Sequence, residues 1–187
     1  MLALAELEAD ALGCTRCPLA AGRTTVVFGE GAPDAGLLVV GEGPGREEDL
    51  QGRPFVGRSG QLLDRLLREE ACLRRDQVYI ANVVKCRPPG NRDPLAEEIE
   101  ACRPYLDRQV ELIAPNVILT LGNFATKLLL ATPQGITALR GRTYPYRGAV
   151  LVPTFHPAAA LRGGGTVLAQ MRADFVRAKR ALGAPAR

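Results

Sequence analysis

Four cysteines in this chain are spaced for metal chemistry. Cys14 and Cys17 form a C-x2-C turn closed by Pro18, and Cys86 and Cys102 follow after a long gap as C-x15-C. Four thiolates suit either tetrahedral zinc or an iron–sulfur cluster, and spacing does not choose between them. One CxxC alone reads equally well as a redox pair. A second cysteine pair flanking the proline-rich loop Arg87–Arg92 weakens that reading. The fifth cysteine, Cys72, follows a leucine-rich helical stretch and is expected to be a packed core thiol.

A second set of residues could build a pocket. Asn82 is an amide inside the apolar run Val78–Lys85, and an unpaired buried amide costs roughly 1–3 kcal/mol. It is therefore expected to face a ligand, while Cys86, four residues on, faces the metal. Gly41-Glu42-Gly43-Pro44-Gly45 follows an apolar strand, an arrangement in which backbone N–H groups approach a ligand closely. The loop lacks the lysine of a P-loop and the spacing of a dinucleotide fingerprint, which disfavours nucleoside triphosphates and NAD. Phe55, between Pro54 and Val56 in an arginine-flanked loop, is placed to stack on a planar ligand. His156 is the only histidine. A lone histidine is more often structural, but this one sits where a strand ends, before Pro157.

The elements that must hold these residues alternate between strand and helix. Continuous apolar strands are expected at 37–41, 78–85, 116–122 and 149–153. Helices are expected at 2–12, from a cap at Ser59, from Asp93-Pro94 to about 113, at 124–131 and at about 167–181. Pro104 is expected to kink or restart its helix, turns with short strands fill 133–148, and the tail 183–187 is expected to fray. Strands that are apolar throughout favour a mostly parallel sheet covered on both faces. In such sheets ligands sit beyond the carboxyl ends of the strands. The glycine loop, Asn82 and the 154–157 turn all fall there.

Composition sets the bounds. The 187 residues carry 47% apolar and 24% charged side chains, enough for one domain spanning 1–187 with its own core. No apolar run reaches the roughly 18 residues of a membrane span. The acidic, amphipathic N-terminus is wrong for a signal peptide, so the expected compartment is the cytoplasm, where five cysteines argue against disulfides. Net charge is +4, and only Lys85, Lys127 and Lys179 are lysines. Arginine's planar fork suits phosphates and bases, although a coding or heat-adaptation bias would give the same excess.

Gly41-Glu42-Gly43-Pro44-Gly45, Gly52-Arg53-Pro54-Phe55-Val56-Gly57, Asn82-Val83-Val84-Lys85-Cys86-Arg87-Pro88-Pro89 and His156-Pro157-Ala158-Ala159-Ala160-Leu161 together resemble family 4 uracil-DNA glycosylases, over about residues 14–180. The resemblance implies a three-layer α/β/α sandwich around a central, mostly parallel four-stranded sheet. It also implies a [4Fe–4S] cluster on Cys14, Cys17, Cys86 and Cys102, which turns the open metal question toward iron–sulfur.

The implied activity is monofunctional hydrolysis of uracil from single- or double-stranded DNA, leaving an abasic site, by a monomeric enzyme. Phe55 would stack on the flipped base, Asn82 would read its O4 and N3–H edge, and Gly41 and Gly43 would line the pocket. Glu42 would crowd the position of thymine's methyl and stand near the water-orienting residue of related families. His156 would donate to O2, and Glu48 and Asn91 are secondary candidates for water or sugar placement. Lys85 raises a Schiff-base lyase as a variant, Leu161 and Arg162 would enter DNA, and Arg58, Arg87 and Arg92 would meet phosphates. The alternatives are a non-catalytic nucleic-acid module and a type that becomes covalently trapped on abasic DNA. The trapping type carries a histidine-bearing insert after the phenylalanine loop, which this sequence lacks.

Overall fold

The structure is a computed structural model and describes residues 2–183. The chain runs α1 (Leu2–Leu12), α2 (Leu19–Gly22), β1 (Glu30–Gly31), β2 (Leu37–Gly41), α3 (Arg46–Gln51), α4 (Arg58–Leu66) and β3 (Tyr79–Asn82). It continues with α5 (Ala96–Ile113), β4 (Val117–Leu121), α6 (Asn123–Leu130), α7 (Ile136–Leu139), β5 (Tyr144–Tyr146), β6 (Ala149–Thr154) and α8 (Pro157–Leu182). The sheet order is β1-β3-β2-β4-β6-β5. The four inner strands are parallel and the two edges antiparallel.

The expected sheet of four strands is thus the parallel centre of a sheet of six. The short edges β1 and β5 carry too few residues to print an apolar run. All of β2, β3 and β4 is buried, as strands covered on both faces require. Alternate residues serve opposite layers. Leu37 and Val39 pack with Leu63, Leu66 and Phe175 of the α4 and α8 layer. Leu38 and Val40 pack with Tyr105, Leu106 and Val110 of the α1, α5 and α6 layer. The architecture is an α/β/α sandwich. No helix among the described residues is long and apolar enough to cross a membrane.

Several boundaries differ from expectation for physical reasons. α4 is capped by Gly57 rather than Ser59. α5 begins at Ala96, where the Glu98 carboxylate takes the Leu95 N–H at 2.8 Å. It runs through Pro104 unbroken, because that residue is exposed and the carbonyl it displaces can turn to water. α8 starts ten residues early, at Pro157, and only Gly164 (φ 70°) interrupts it. Cys72 is not core: a π-helical turn over Leu67–Ala71 ends on it in the left-handed conformation (φ 58°), and its exposed thiol accepts from Lys179 Nζ at 2.8 Å. Residues 184–187 of the tail expected to fray lie outside the described residues.

One buried carboxylate ties the end of β6 to α8. Asp174 takes both arms of Arg140, at 2.9 and 3.0 Å, and the Thr154 hydroxyl at 2.9 Å. Truncating one partner of a buried pair leaves the other charge uncompensated. Asp174→Ala is expected to cost about 3–5 kcal/mol, read as a lower urea midpoint at unchanged slope.

Candidate functional site

Two clusters lie at the carboxyl ends of the parallel strands, on opposite faces of the sheet. Asn82 follows Ile80 by two residues and so shares the face of α4 and α8. Its Oδ1 is the one buried side-chain nitrogen or oxygen among the described residues with no hydrogen-bond partner. Gly41 is its register neighbour on β2. A Cβ on Gly41 would lie 2.5 Å from that oxygen and 2.5 Å from Phe55 Cζ. The missing side chain is what leaves the amide and the ring facing a common gap.

Phe55 is held there under strain. Its φ is 51°, which costs a non-glycine residue of order 1 kcal/mol or more. A Cβ on Gly60 would fall 1.7 Å from the Phe55 carbonyl oxygen, so only glycine admits this turn. Arg75 donates to the Phe55 carbonyl at 3.1 Å and to that of Pro54, while ion-paired with Glu30 and Asp64. Glu48 completes the hold. One carboxylate oxygen accepts from the Val56 and Gly57 N–H groups at 2.9 and 3.1 Å, the other from Gly45 at 3.1 Å. Expected as a water- or sugar-placing residue, Glu48 instead clamps the glycine loop to the phenylalanine loop.

His156 closes the gap from the far side. Its ring centroid stands 5.8 Å from that of Phe55, tilted 33°. Its Nδ1 caps α8 by accepting the Ala158 N–H at 3.2 Å. The proton of the neutral ring therefore belongs on Nε2. Burial first, then the nearby positive charge of Arg162, lowers its pKa to about 4. Gly122 (φ 89°) lets the β4 end approach, since a Cβ there would sit 3.2 Å from His156 Cβ. Glu42, next after Gly41 in the glycine loop, is half-buried, and burial, aided by the charge of Asp93, lifts its pKa to about 7.

The thiols occupy the other face. Cys14, Cys17, Cys86 and Cys102 line one cavity with Arg23 and Tyr105, and all four are free. Arg23 donates to Cys86 Sγ at 3.4 Å and to the Cys14 carbonyl at 2.6 Å, and the Lys85 N–H to Cys102 Sγ at 3.2 Å. Among the described residues no three His, Cys, Asp or Glu side chains converge on a single ion position.

Lys85 lies on the thiol side and is 2% exposed. Its Nζ donates to the Asn82 carbonyl at 2.9 Å and to Gln109 Oε1 at 2.5 Å. Burial lowers its pKa to about 8, but both hydrogen bonds point it away from the pocket. Of the other candidates, Asn91 Oδ1 is taken by Arg87 Nε at 2.6 Å, and Arg92 is paired with Glu98 at 2.6 Å. Arg58 and Leu161 are exposed along one groove. The supporting roles of Gly60, Gly122 and Arg75 escaped sequence reading. Gly122 alone left a signal, a glycine directly after an apolar strand as at Gly41.

A family model described as the uracil DNA glycosylase superfamily matches residues 28–182. The chain is 47% identical to a type-4 uracil-DNA glycosylase of Sulfurisphaera tokodaii, over 86% of this chain and 77% of the relative. It is 52% identical to a type-4 uracil-DNA glycosylase of Thermotoga maritima, over 80% and 78%. A type-5 uracil-DNA glycosylase of Pyrobaculum aerophilum is 28% identical over 89% and 87%.

The clamp has a measurable consequence. Glu48→Ala strips three backbone N–H groups of their acceptor and is expected to cost about 2–3 kcal/mol by chemical denaturation. Hydrogen exchange should quicken at Val56 and Gly57 more than in β2 or β3.

Proposed function

The chain belongs to the uracil DNA glycosylase superfamily, and from that premise we propose that it hydrolyses the N-glycosidic bond of uracil in DNA, as a monofunctional glycosylase leaving an abasic site. The observation that carries the reading is the orphaned Asn82 Oδ1 facing the gap at Gly41. A flipped uracil supplies what that oxygen lacks, an N3–H donor, and the amide nitrogen donates in turn to O4. Cytosine carries the reversed pattern, an acceptor at N3 and a donor at N4, so an amide fixed in orientation rejects it. Phe55 stacks on the base.

As the C1′–N1 bond breaks, N1 keeps the electron pair and charge develops on O2. The Nε2–H of neutral His156 donates to that oxygen; removing one such donor typically costs about 10²–10³ in rate. A water oxygen bonds to C1′ and its proton passes to the Glu42 carboxylate, which orients that water. The abasic sugar remains on the strand, and solvent protonates the uracil anion. Lys85, spent on Asn82 and Gln109, forms no Schiff base in this scheme.

Cys14, Cys17, Cys86 and Cys102 are the residues that would hold a [4Fe–4S] cluster. When bound it supplies cross-links between the N-terminal segment, the end of β3 and α5. Soft thiolate donors spread around one cavity fit it.

Release of free uracil from oligonucleotides containing one U:G, U:A or unpaired uracil tests the reading, and no release from any of them overturns it. Asn82→Ala is expected to lose at least about 10²-fold in kcat/KM while keeping the brown colour of the cluster; Cys86→Ser should lose colour, stability and activity together. The pH profile checks Glu42. With its carboxyl near 7, kcat/KM should fall about tenfold per unit below pH 7 and level off above it. Glu42→Gln should be slower by roughly 10²-fold and flat, since His156 stays neutral throughout that range.

A further inference from the structure

Arg58, expected to meet phosphates, begins a stripe on α4 whose other arginines, Arg65 and Arg68, have no role in the readings above. Arg58, Gln61, Arg65 and Arg68 lie three or four residues apart, or multiples of that, so they share one side of α4 and its π-helical continuation. All four are exposed, while Leu63, Leu66 and Leu67 on the opposite side are fully buried. With Leu62 and Leu161 they line one open groove.

The charges in this groove are unneutralised. Asp64, Glu69 and Glu70 are the acids of the same helical segment, and each is engaged elsewhere: Asp64 by Arg75, Glu69 and Glu70 by Arg172. Arg58, Arg65 and Arg68 have no ion pair among the described residues; Arg46, Arg142, Arg162 and Arg180 share that state elsewhere on the surface, but only on α4 do three such arginines follow one another along a single helix face. Three neighbouring guanidinium groups repel one another unless something anionic lies across them.

The groove lies on the helix that abuts the pocket: Gly60 in the first turns of α4 packs on the Phe55 carbonyl, and Leu62 of the groove shares a core cluster with Phe55. Arg58 is three residues beyond Phe55, and Leu161 is five beyond His156. Leu161 is 44% exposed, an apolar wall in a basic groove. From Arg58 to Arg68 the helix rises about 15 Å, comparable to about four steps of a DNA strand at about 3.4 Å each.

We infer that this face of α4 is a phosphodiester track, on which the DNA backbone flanking the extruded nucleotide lies across Arg58, Arg65 and Arg68 with Leu161 against its sugars and bases. The inference rests on the glycosylase reading for its ligand. Arginine's fork matches phosphate oxygens two at a time. An acidic protein segment would satisfy the charge equally, but only a nucleic acid strand also has to leave the pocket past this groove.

The test is binding of a labelled oligonucleotide carrying one 2′-fluoro-2′-deoxyuridine, which resists hydrolysis, across a KCl series. Each of R58Q, R65Q and R68Q is expected to weaken binding and flatten the slope of log K against log salt by about one, and the triple variant by about two to three. R108Q on α5 is the control and should keep the wild-type slope. A triple variant that melts like wild type and keeps its slope overturns the track and leaves the groove to a protein partner. Uracil release by the wild-type protein is measured alongside. Its absence would sink the glycosylase reading, and the slopes would still report whether DNA lies on α4.

Discussion

Pairing of β2 with β3 does not stop where the strands formally end, and both sites depend on that extension. The Val83 N–H donates to the Gly41 carbonyl at 2.9 Å and the Val84 N–H to the Glu42 carbonyl at 3.1 Å. These two bonds carry the ladder through the glycine loop. Asn82 is thereby held with its side chain on one face, and Cys86 is delivered to the other. Lys85 locks the turn between them, with its side chain on the Asn82 carbonyl and its N–H on the Cys102 sulfur. A continued strand would put residues four apart on one face; the amide and the thiol serve different layers because β3 ends at Asn82 and the chain bends through Val83, Lys85 and Cys86.

Charge follows a consistent division. Inside the fold, every buried ionised group named here has a partner. Glu98 meets Arg92, Asp174 meets Arg140, and Asp49 takes the Thr24 N–H at 2.9 Å. Burial without such pairing would cost several kcal/mol per charge. Glu42 departs from this pattern: it is half-buried, and burial first, then the like charge of Asp93, raises its pKa to about 7. A half-buried carboxyl with a pKa near neutrality is suited to exchanging a proton rather than to stability.

Much of this was legible in the sequence, and the reasons are specific. Apolar runs ending at Gly41 and just before Thr154 marked two strand ends, because buried parallel strands print continuous hydrophobicity; the expected 78–85 strand overshot, since Val83 and Val84 are apolar and buried but lie beyond the end of β3 at Asn82. The four thiols were legible as a set because cysteines have few other uses at such spacing. Of the edge strands, β5 falls in the 133–148 stretch where short strands were expected, while β1, two residues long, forms no pattern. Cys72 misled because its leucine neighbours suggest a core, while a single π-helical turn swings it outward. The glycine triplet suggested a break before the last helix, yet only Gly164 needed a positive φ, and the actual start lay in the His156 cap and Pro157. The clamp made by Glu48 could not be read, because its partners are three backbone N–H groups in two separate loops.

The strained turn at Phe55 bears on the order of events. Gly60, Arg75 and Glu48 fix that turn from three sides without help from any ligand. On the proposed reading of Phe55, the aromatic wall is therefore in place before DNA arrives, and the protein has little of itself left to order. The entropic cost of forming the complex falls on the nucleic acid, which must unstack and rotate a nucleotide into a slot already shaped. On that reading, a base already out of the stack is captured more readily than one the protein would have to pry open.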